Sequence, residues 1–95
     1  MSDQNKRSSK ILTRPLSVTA NVTQLCKANP SRTRLFVANL SGNVVYILSA
    51  QNLKYTDGIP VAASTGTYEN KSTTAPLWIV ASTGTNDVRV EEDTD

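Results

Sequence analysis

Two short apolar runs flank a glycine-containing turn in the middle of the chain. Residues 34–40 and 44–48 are rich in Val, Leu, Ile, Phe and Tyr, the types that suit a pleated, packed surface. Between them Ser41-Gly42-Asn43 supplies residues that tolerate the positive φ of hairpin loops. The pattern therefore predicts two antiparallel strands that pair with each other in a hairpin.

Both faces of this predicted hairpin are apolar, because side chains alternate along a strand. One face carries Leu35, Val37, Val45 and Ile47. The other carries Phe36, Ala38, Val44, Tyr46 and Leu48. A second apolar face needs cover, either from a loop or tail of the same chain or from another subunit or protein. We therefore name as a hypothetical oligomer or partner interface Phe36, Tyr46, Leu48 and Trp78.

The rest of the chain repeats the strand pattern and shows no sustained helical period. Residues 16–22 and 87–91 alternate apolar and polar positions, and Pro60 marks its short strand either as an edge or as the site of a bulge. Residues 11–13 are expected to form a short strand or an anchored extension, which Pro15 breaks. These signals predict an all-β fold, a small antiparallel β-sandwich or jelly roll of about seven or eight strands. The predicted core is Leu35, Val37, Val45, Ile47, Ile59, Val61, Leu77, Ile79, Val88 and Val90.

The predicted organisation has three parts. Residues 1–14 form a flexible, basic N-terminal arm, residues 15–91 the sandwich domain, and residues 92–95 an acidic tail. One pentapeptide, Ala-Ser-Thr-Gly-Thr, occurs at residues 63–67 and again at 81–85. Since hairpin turns draw on few residue types, this repeat predicts two similar turns at neighbouring places.

Composition argues against catalysis and cofactor binding. The chain has no His and a single Cys, Cys26, so it has no imidazole base and no intrachain disulfide. Cys26 is expected to be a small buried side chain. The sequence contains no phosphate-binding glycine loop, nucleophile elbow or metal-ligand spacing, so we expect no enzyme activity, no cofactor and no metal. Trp78 and Tyr68 are the side chains that a sugar-binding surface would use, although packing in the core is the more ordinary role.

The net charge of +2 is unevenly spread. Lys6, Arg7, Lys10 and Arg14 lie in the first 14 residues, and four acids lie in the last five. The two ends are either solvated tails or, for the first, an arm that docks on an acidic surface. Nucleic-acid binding is not expected, because no basic stripe with interleaved aromatic residues is present. No run of about 20 apolar residues predicts a membrane span, and no signal peptide precedes the domain, so we expect synthesis in a cytoplasm.

Three segments carry a resemblance to a known group of proteins. The first is Leu25-x-x-Ala28-Asn29-Pro30-x-Arg32 followed by Leu35-x-Val37-x-Asn39 and Val45-Tyr46-Ile47. The second is Gly58-Ile59-Pro60-Val61 with Tyr68-Glu69, and the third is Trp78-Ile79-Val80-Ala81 with Asp87-Val88-Arg89-Val90. Together they resemble small all-β structural proteins of tailed-bacteriophage virions. The resemblance covers about residues 16–91 and leaves out the basic segment.

The resemblance implies a β-sandwich that sits on the outer capsid surface of a phage as a decoration or cement protein. Its partner would be the major capsid protein, and a trimer is suggested by common capsid symmetry. The basic residues Lys6, Arg7, Lys10 and Arg14 are then the candidate capsid-binding arm. The alternative is a head-fibre or tail-associated module that recognises a host surface glycan. A concave pocket holding Trp78 or Tyr68 with polar neighbours would favour that alternative.

Overall fold

The computed structural model of the chain describes residues 10–95, which form two stacked antiparallel sheets. The eight strands are β1 (Lys10–Val18), β2 (Thr23–Cys26), β3 (Arg32–Asn39), β4 (Val45–Leu48), β5 (Ile59–Val61), β6 (Gly66–Asn70), β7 (Leu77–Ala81) and β8 (Asn86–Thr94). Sheet A has the order β1-β8-β3-β6, and sheet B has the order β2-β7-β4-β5. A 3₁₀ turn, Tyr55–Asp57, lies between β4 and β5. The predicted all-β sandwich is confirmed.

The topology is that of a jelly roll. The first strand pairs with the last, β2 with β7, β3 with β6, and β4 with β5, all antiparallel. The chain therefore runs as one long two-stranded ribbon with its tip between β4 and β5. Rolling that ribbon adds the pairs β3–β8 and β4–β7, which close each sheet to four strands.

The core lies between the two sheets and uses the inward side of each strand. Nine of the ten predicted core residues are buried; the exception is Ile59, which is 55% exposed. Ile59 opens the three-residue strand β5, the edge of sheet B, where an inward side chain has little to pack against. The core also includes Val18, Leu25, Cys26 and Ala81. The predicted burial of Cys26 and the edge position of Pro60 are therefore confirmed.

The predicted hairpin between β3 and β4 is wrong. The two strands belong to different sheets, so the loop at residues 40–44 crosses the sandwich instead of turning within one sheet. Neither Gly42 nor Asn43 has a positive φ. The apolar pattern was correctly assigned to inward faces, because Leu35, Val37, Val45 and Ile47 meet across the core. Their strands face each other across the sandwich and do not pair side by side.

Both predicted domain boundaries also differ from the structure. Strand β1 starts at Lys10, so the last part of the predicted arm pairs with β8, from Lys10↔Thr94 to Arg14↔Val90. Pro15 lies inside β1, opposite Arg89, and does not end it. A proline is tolerated there because β1 is an edge strand. Most of the predicted acidic tail is likewise the end of β8.

A loop of the same chain covers β4 on the outer face of sheet B. The connection between β4 and β5 passes over β4, and Tyr55 packs on Tyr46 with ring centroids 5.2 Å apart. Gly58 allows this close approach, because a Cβ there would lie 2.8 Å from Leu48 Cδ2 and 2.9 Å from Tyr46 Cβ. Leu48 is buried under this cover. A loop of the same chain, one of the two alternatives above, therefore covers this face.

Two buried asparagines fix the end of the sandwich where β3 meets β4. Asn39 Nδ2 donates to Asn43 O at 2.8 Å and to Val61 O at 3.1 Å, and its Oδ1 accepts from Ser41 N at 3.0 Å. Asn86 Nδ2 donates to the carbonyls of Val18 and Thr83, at 3.0 and 2.9 Å. Asn43 Nδ2 links the two sets by donating to Asn86 Oδ1 at 3.0 Å. Four loops are thereby held together with their polar groups paired.

The two copies of the repeated pentapeptide flank the loop at residues 40–44 but form different turns. In the first copy Ser64 and Thr65 take positive φ values of 59° and 78°. In the second copy the positive φ falls on Gly84, at 76°. The two turns lie near each other, as predicted, but the prediction that they have similar conformations is wrong. Contacts with the rest of the fold set these turns: Thr65 N donates to Asn39 O at 2.8 Å.

Arg32 fixes the opposite end. Its side chain is fully buried, and Nε donates to Glu92 Oε2 at 2.7 Å. Nη1 donates to the carbonyls of Thr73 and Ala75, each at 3.1 Å, and Nη2 donates to Lys27 O at 2.5 Å. One guanidinium thus joins the loop before β3, the loop before β7 and strand β8. Buried carbonyls in loops need such partners, because they have no ladder to join.

We expect Arg32→Ala to destabilise the fold by about 3 kcal/mol or more, because it leaves a carboxylate and three carbonyls without their partner. Arg89→Ala is the matched control. Arg89 also pairs with a carboxylate, that of Asp87, but both side chains are about half exposed. Its loss should cost less than about 0.5 kcal/mol. Urea unfolding at neutral pH measures both, and equal effects would show that Arg32 is not a structural centre.

Candidate binding surfaces

Only two of the four basic residues of the predicted arm lie in the part of the chain that the structure describes. Lys6 and Arg7 lie outside the described residues. Lys10 and Arg14 lie in β1, on the side of sheet A that faces sheet B, because they share the parity of the buried Val18. Lys10 is exposed, whereas Arg14 is half-buried and donates to Leu25 O. The two cations therefore belong to a fixed strand.

Two large apolar side chains beside these cations are exposed. Ile11 is 65% exposed and Leu12 is 60% exposed, the highest values among the large hydrophobic residues that the structure describes. They point to opposite faces of β1, beyond the part of the sandwich that the core fills. Sequence reasoning missed them, because residues 1–14 were assigned to an arm. The alternation at residues 87–91 indicated a strand, but residues 92–95 are all polar, so no apolar pattern showed that β8 continues far enough to pair with residues 10–13.

A cavity of about 480 Å³ opens next to Arg14. It lies between β1 and the end of β2, and its wall includes Gln24, Lys27, Asn29 and Glu92. Arg14 and Lys27 make the wall cationic, since Glu92 already accepts a hydrogen bond from Arg32. The cavity could therefore accept an anionic side chain.

The outer face of sheet A carries a charged cluster around Arg34. Its Nε donates to Glu69 at 2.5 Å, and its Nη1 donates to Glu91 at 2.7 Å and to Asp93 at 3.4 Å. The guanidinium also lies over the ring of Phe36, 4.8 Å from the centroid. Phe36 is thus partly covered within the chain, and it is on the opposite sheet from Tyr46 and Trp78. The four residues predicted as one interface do not come together.

The carboxyl groups of this cluster differ electrostatically. The pKa of Glu69 is lowered, chiefly by its hydrogen bond from Arg34. The pKa of Glu91 is raised, first by a hydrogen bond with Asp93, then by burial and by the negative charge of Asp93. Asp93 Oδ1 is buried, and no hydrogen-bond donor among the described residues reaches it.

The outer face of sheet B holds the other predicted interface residues. Trp78 and Tyr46 are half-buried there, and Leu48 is buried by the chain, so Leu48 is not available to a partner. A second cavity, of about 620 Å³, lies beside Tyr55 and Val80. Neither Trp78 nor Tyr68 lines either of these two cavities. Tyr68 packs against the core, and its hydroxyl accepts from Asn70 Nδ2 at 3.1 Å.

Cys26 has the environment of a structural thiol. It is buried in β2, and burial raises its pKa against the opposing effect of Arg32. Residues 10–95 contain no group of three or more Asp, Glu or Cys side chains arranged to hold a metal ion. In the same part of the chain, no helix is both long and apolar enough to cross a bilayer. Comparison of the chain with protein-family models, curated proteins and solved structures finds no match.

The Arg34 cluster predicts opposite pH dependences for two matched variants. When the pKa of a glutamate is higher in the folded chain than in the unfolded chain, the folded state is favoured while that glutamate is protonated. The fold loses this stabilisation as pH rises above about 4.3, the ordinary pKa of Glu. Glu91→Gln should therefore match the native chain near pH 3 and become more stable than it towards pH 7. Glu69 has a lowered pKa, so Glu69→Gln should become less stable than the native chain over the same rise. Urea unfolding between pH 3 and 7 measures both differences; equal signs would contradict the assignment.

Proposed function

We propose that this protein is a non-enzymatic structural protein of a phage virion that binds the outer capsid surface and stabilises the lattice. The residue pattern of the sandwich supports this, since it resembles small virion structural proteins of tailed phages. The observation that carries the proposal is the edge segment of residues 10–14. It presents two cations and two exposed apolar side chains on a rigid sandwich.

The mechanism is stabilisation by binding. A protein that binds only the assembled lattice stabilises that state by mass action. Repetition of the sites by lattice symmetry adds weak contacts through avidity, particularly if the protein is a homo-oligomer such as a trimer. The major capsid protein is the partner, and an acidic seam between its subunits is the complement of Lys6, Arg7, Lys10 and Arg14.

The folded position of β1 refines the role of the basic residues. Lys10 and Arg14 are held in place by pairing with β8, so they lose little conformational freedom on binding. Lys6 and Arg7 precede the described strand and add cationic charge next to it. Exposed ion pairs of this kind are individually weak and are screened by salt.

The test is binding to undecorated capsids at low and high salt. The variant lacks residues 2–9 and carries Lys10→Gln, which removes three cations and one anion without cutting into β1. With about 0.5 kcal/mol for each exposed pair, we expect about tenfold weaker binding at low salt and a shallower salt dependence. Co-sedimentation with the capsids measures the affinity.

The control is Lys54→Gln with Lys71→Gln, which makes the same net change of charge on exposed residues far from β1 in sequence. It should bind as the native protein does. Equal binding by all three proteins would show that the basic residues of this segment do not contribute to capsid binding. No binding of the native protein to capsids would exclude the capsid function and favour recognition of a host glycan.

A further inference from the structure

Among residues 10–95, which the structure describes, no strand pairs with the outer edge of β1, and the hydrogen-bonding groups of that edge can be identified. In an antiparallel sheet, the residues of a strand bond alternately to the neighbour on either side. Leu40 N donates to Asp87 O at 3.0 Å, so the odd-numbered residues of β8 bond towards β3. Its even-numbered residues therefore bond towards β1, where Thr94, Glu92 and Val90 lie opposite Lys10, Leu12 and Arg14.

The odd-numbered residues of β1 consequently face the open side. Ile11 and Thr13 each direct one N–H and one C=O away from β8, while Pro15 has no N–H to offer. This assignment also explains how Pro15 fits inside β1 without costing a hydrogen bond to β8. The open edge is interrupted at Pro15, which leaves residues 10–14 as a continuous segment able to accept another strand.

Of the three other edge strands, β5 and β2 are protected by their geometry, and the exposed side chains of β6 are polar. Strand β5 has three residues and contains Pro60, and β2 has four residues with an irregular register between Gln24 and Cys26. Short strands, prolines and bulges are the devices by which proteins prevent unwanted strand pairing. Residues 10–14 have none of these, and their side chains include the exposed Ile11 and Leu12. Exposed apolar side chains on an open edge indicate a partner.

Charge decides which partner fits. Lys10 and Arg14 flank Leu12 on one face, and the cationic wall of the 480 Å³ cavity lies beside Arg14. Antiparallel pairing with the same segment of a second copy would place Lys10 opposite Arg14 twice, and like charges directly opposite are destabilising. On the other face, Asp93 and Glu91 lie beside Ile11 and Thr13, so a partner's residues there should carry no negative charge.

We propose that residues 10–14 form a strand-addition site for an extended acidic segment of another protein. The segment pairs antiparallel to β1 with the pattern acidic–neutral–apolar–neutral–acidic. Its acidic residues lie opposite Arg14 and Lys10, and its central apolar residue covers Leu12. Main-chain hydrogen bonds to Ile11 and Thr13 supply affinity, and the alternate side chains supply specificity. This deepens the proposed function, since it assigns such a segment to the capsid protein, yet it can be tested without capsids.

The probe is the acetylated and amidated peptide Glu-Thr-Leu-Val-Glu, with Lys-Thr-Leu-Val-Lys as its charge-reversed partner. Titration of the full-length ¹⁵N-labelled protein, followed by amide chemical shifts, reports weak binding at the residue level. We expect the acidic peptide to shift the amides of Ile11 and Thr13 and to protect them from hydrogen exchange. The charge-reversed peptide should bind at least about threefold more weakly, the size of one exposed cross-strand ion pair.

Two variants separate main-chain pairing from side-chain contact. Thr13→Pro removes an open-edge N–H without removing a bond to β8 and should abolish the shifts. Ser17→Pro removes the equivalent N–H on the other side of Pro15 and should bind the peptide normally. Lys10→Glu, at an exposed position, should remove the preference between the two peptides, because each peptide then meets one opposite charge and one like charge. Thermal unfolding checks that each variant is folded.

The outcomes distinguish this site from the capsid function. Shifts confined to the β1 edge, lost in Thr13→Pro and retained in Ser17→Pro, support the site even if capsids are not bound. Failure of the acidic peptide to bind the native protein overturns it, as does equal binding of both peptides. Concentration-dependent self-association that protects the Ile11 and Thr13 amides would also overturn it, because the edge would then belong to a second copy.

Discussion

The hydrogen bonds of Arg32 are the interaction on which the end of the molecule with the candidate site depends. Its guanidinium holds Glu92 and the carbonyls of Thr73, Ala75 and Lys27. The ion pair by itself is weak evidence for stability, since the desolvation of two charges offsets their attraction. The structural effect comes from satisfying three loop carbonyls at a place that the sheet ladders do not reach. Without Arg32 those groups would need water inside the fold.

This interaction also positions the candidate site. Glu92 lies opposite Leu12, so fixing Glu92 fixes the register of β8 against β1 over the exposed segment. On the other face of β8, Arg34 engages Glu91 and Asp93, the residues opposite Thr13 and Ile11. Two arginines of β3 therefore hold successive residues of β8 from both sides of sheet A. Because β1 pairs with β8, these two arginines also fix the position of the edge strand β1.

Sequence reasoning was most successful where the physics is local. Alternation at residues 87–91 predicted inward Val88 and Val90, and Pro60 correctly indicated an edge. Strand pairing could not be predicted in this way, because within residues 10–95 only β4 and β5 both pair and follow each other in sequence, and a jelly roll otherwise pairs strands that lie far apart in the chain. The turn at residues 41–43 has the composition of a hairpin loop, but the buried Asn39 draws it towards β5 and Asn86 draws it towards β7 and β8. No pattern near residues 34–48 contains that information.

The candidate site was harder to predict for the same reason. Lys10 and Arg14 were identified by charge, but a basic segment at a chain end has the same composition whether it is solvated or paired. The pairing depends on β8, more than 70 residues away in sequence, and on the fact that β8 continues to Thr94. Arg32, Asn39 and Asp93 are buried polar residues, and each has partners that lie far away in sequence. Arg32 and Asn39 belong to motifs that carried the resemblance, so those motifs include the fold's own structural centres.

An open strand edge normally endangers a soluble protein, because it can pair with any extended chain. Here the hazard is restricted: Pro15 limits the open segment, and Lys10 and Arg14 oppose the approach of a second copy. The same two features are the ones that favour an acidic strand as the occupant in our proposal. A protein that stabilises a lattice needs this combination, since it must remain monomeric or in small oligomers until the lattice presents its sites. A weak, selective edge repeated over many sites meets that requirement through avidity, without a large apolar interface on each copy.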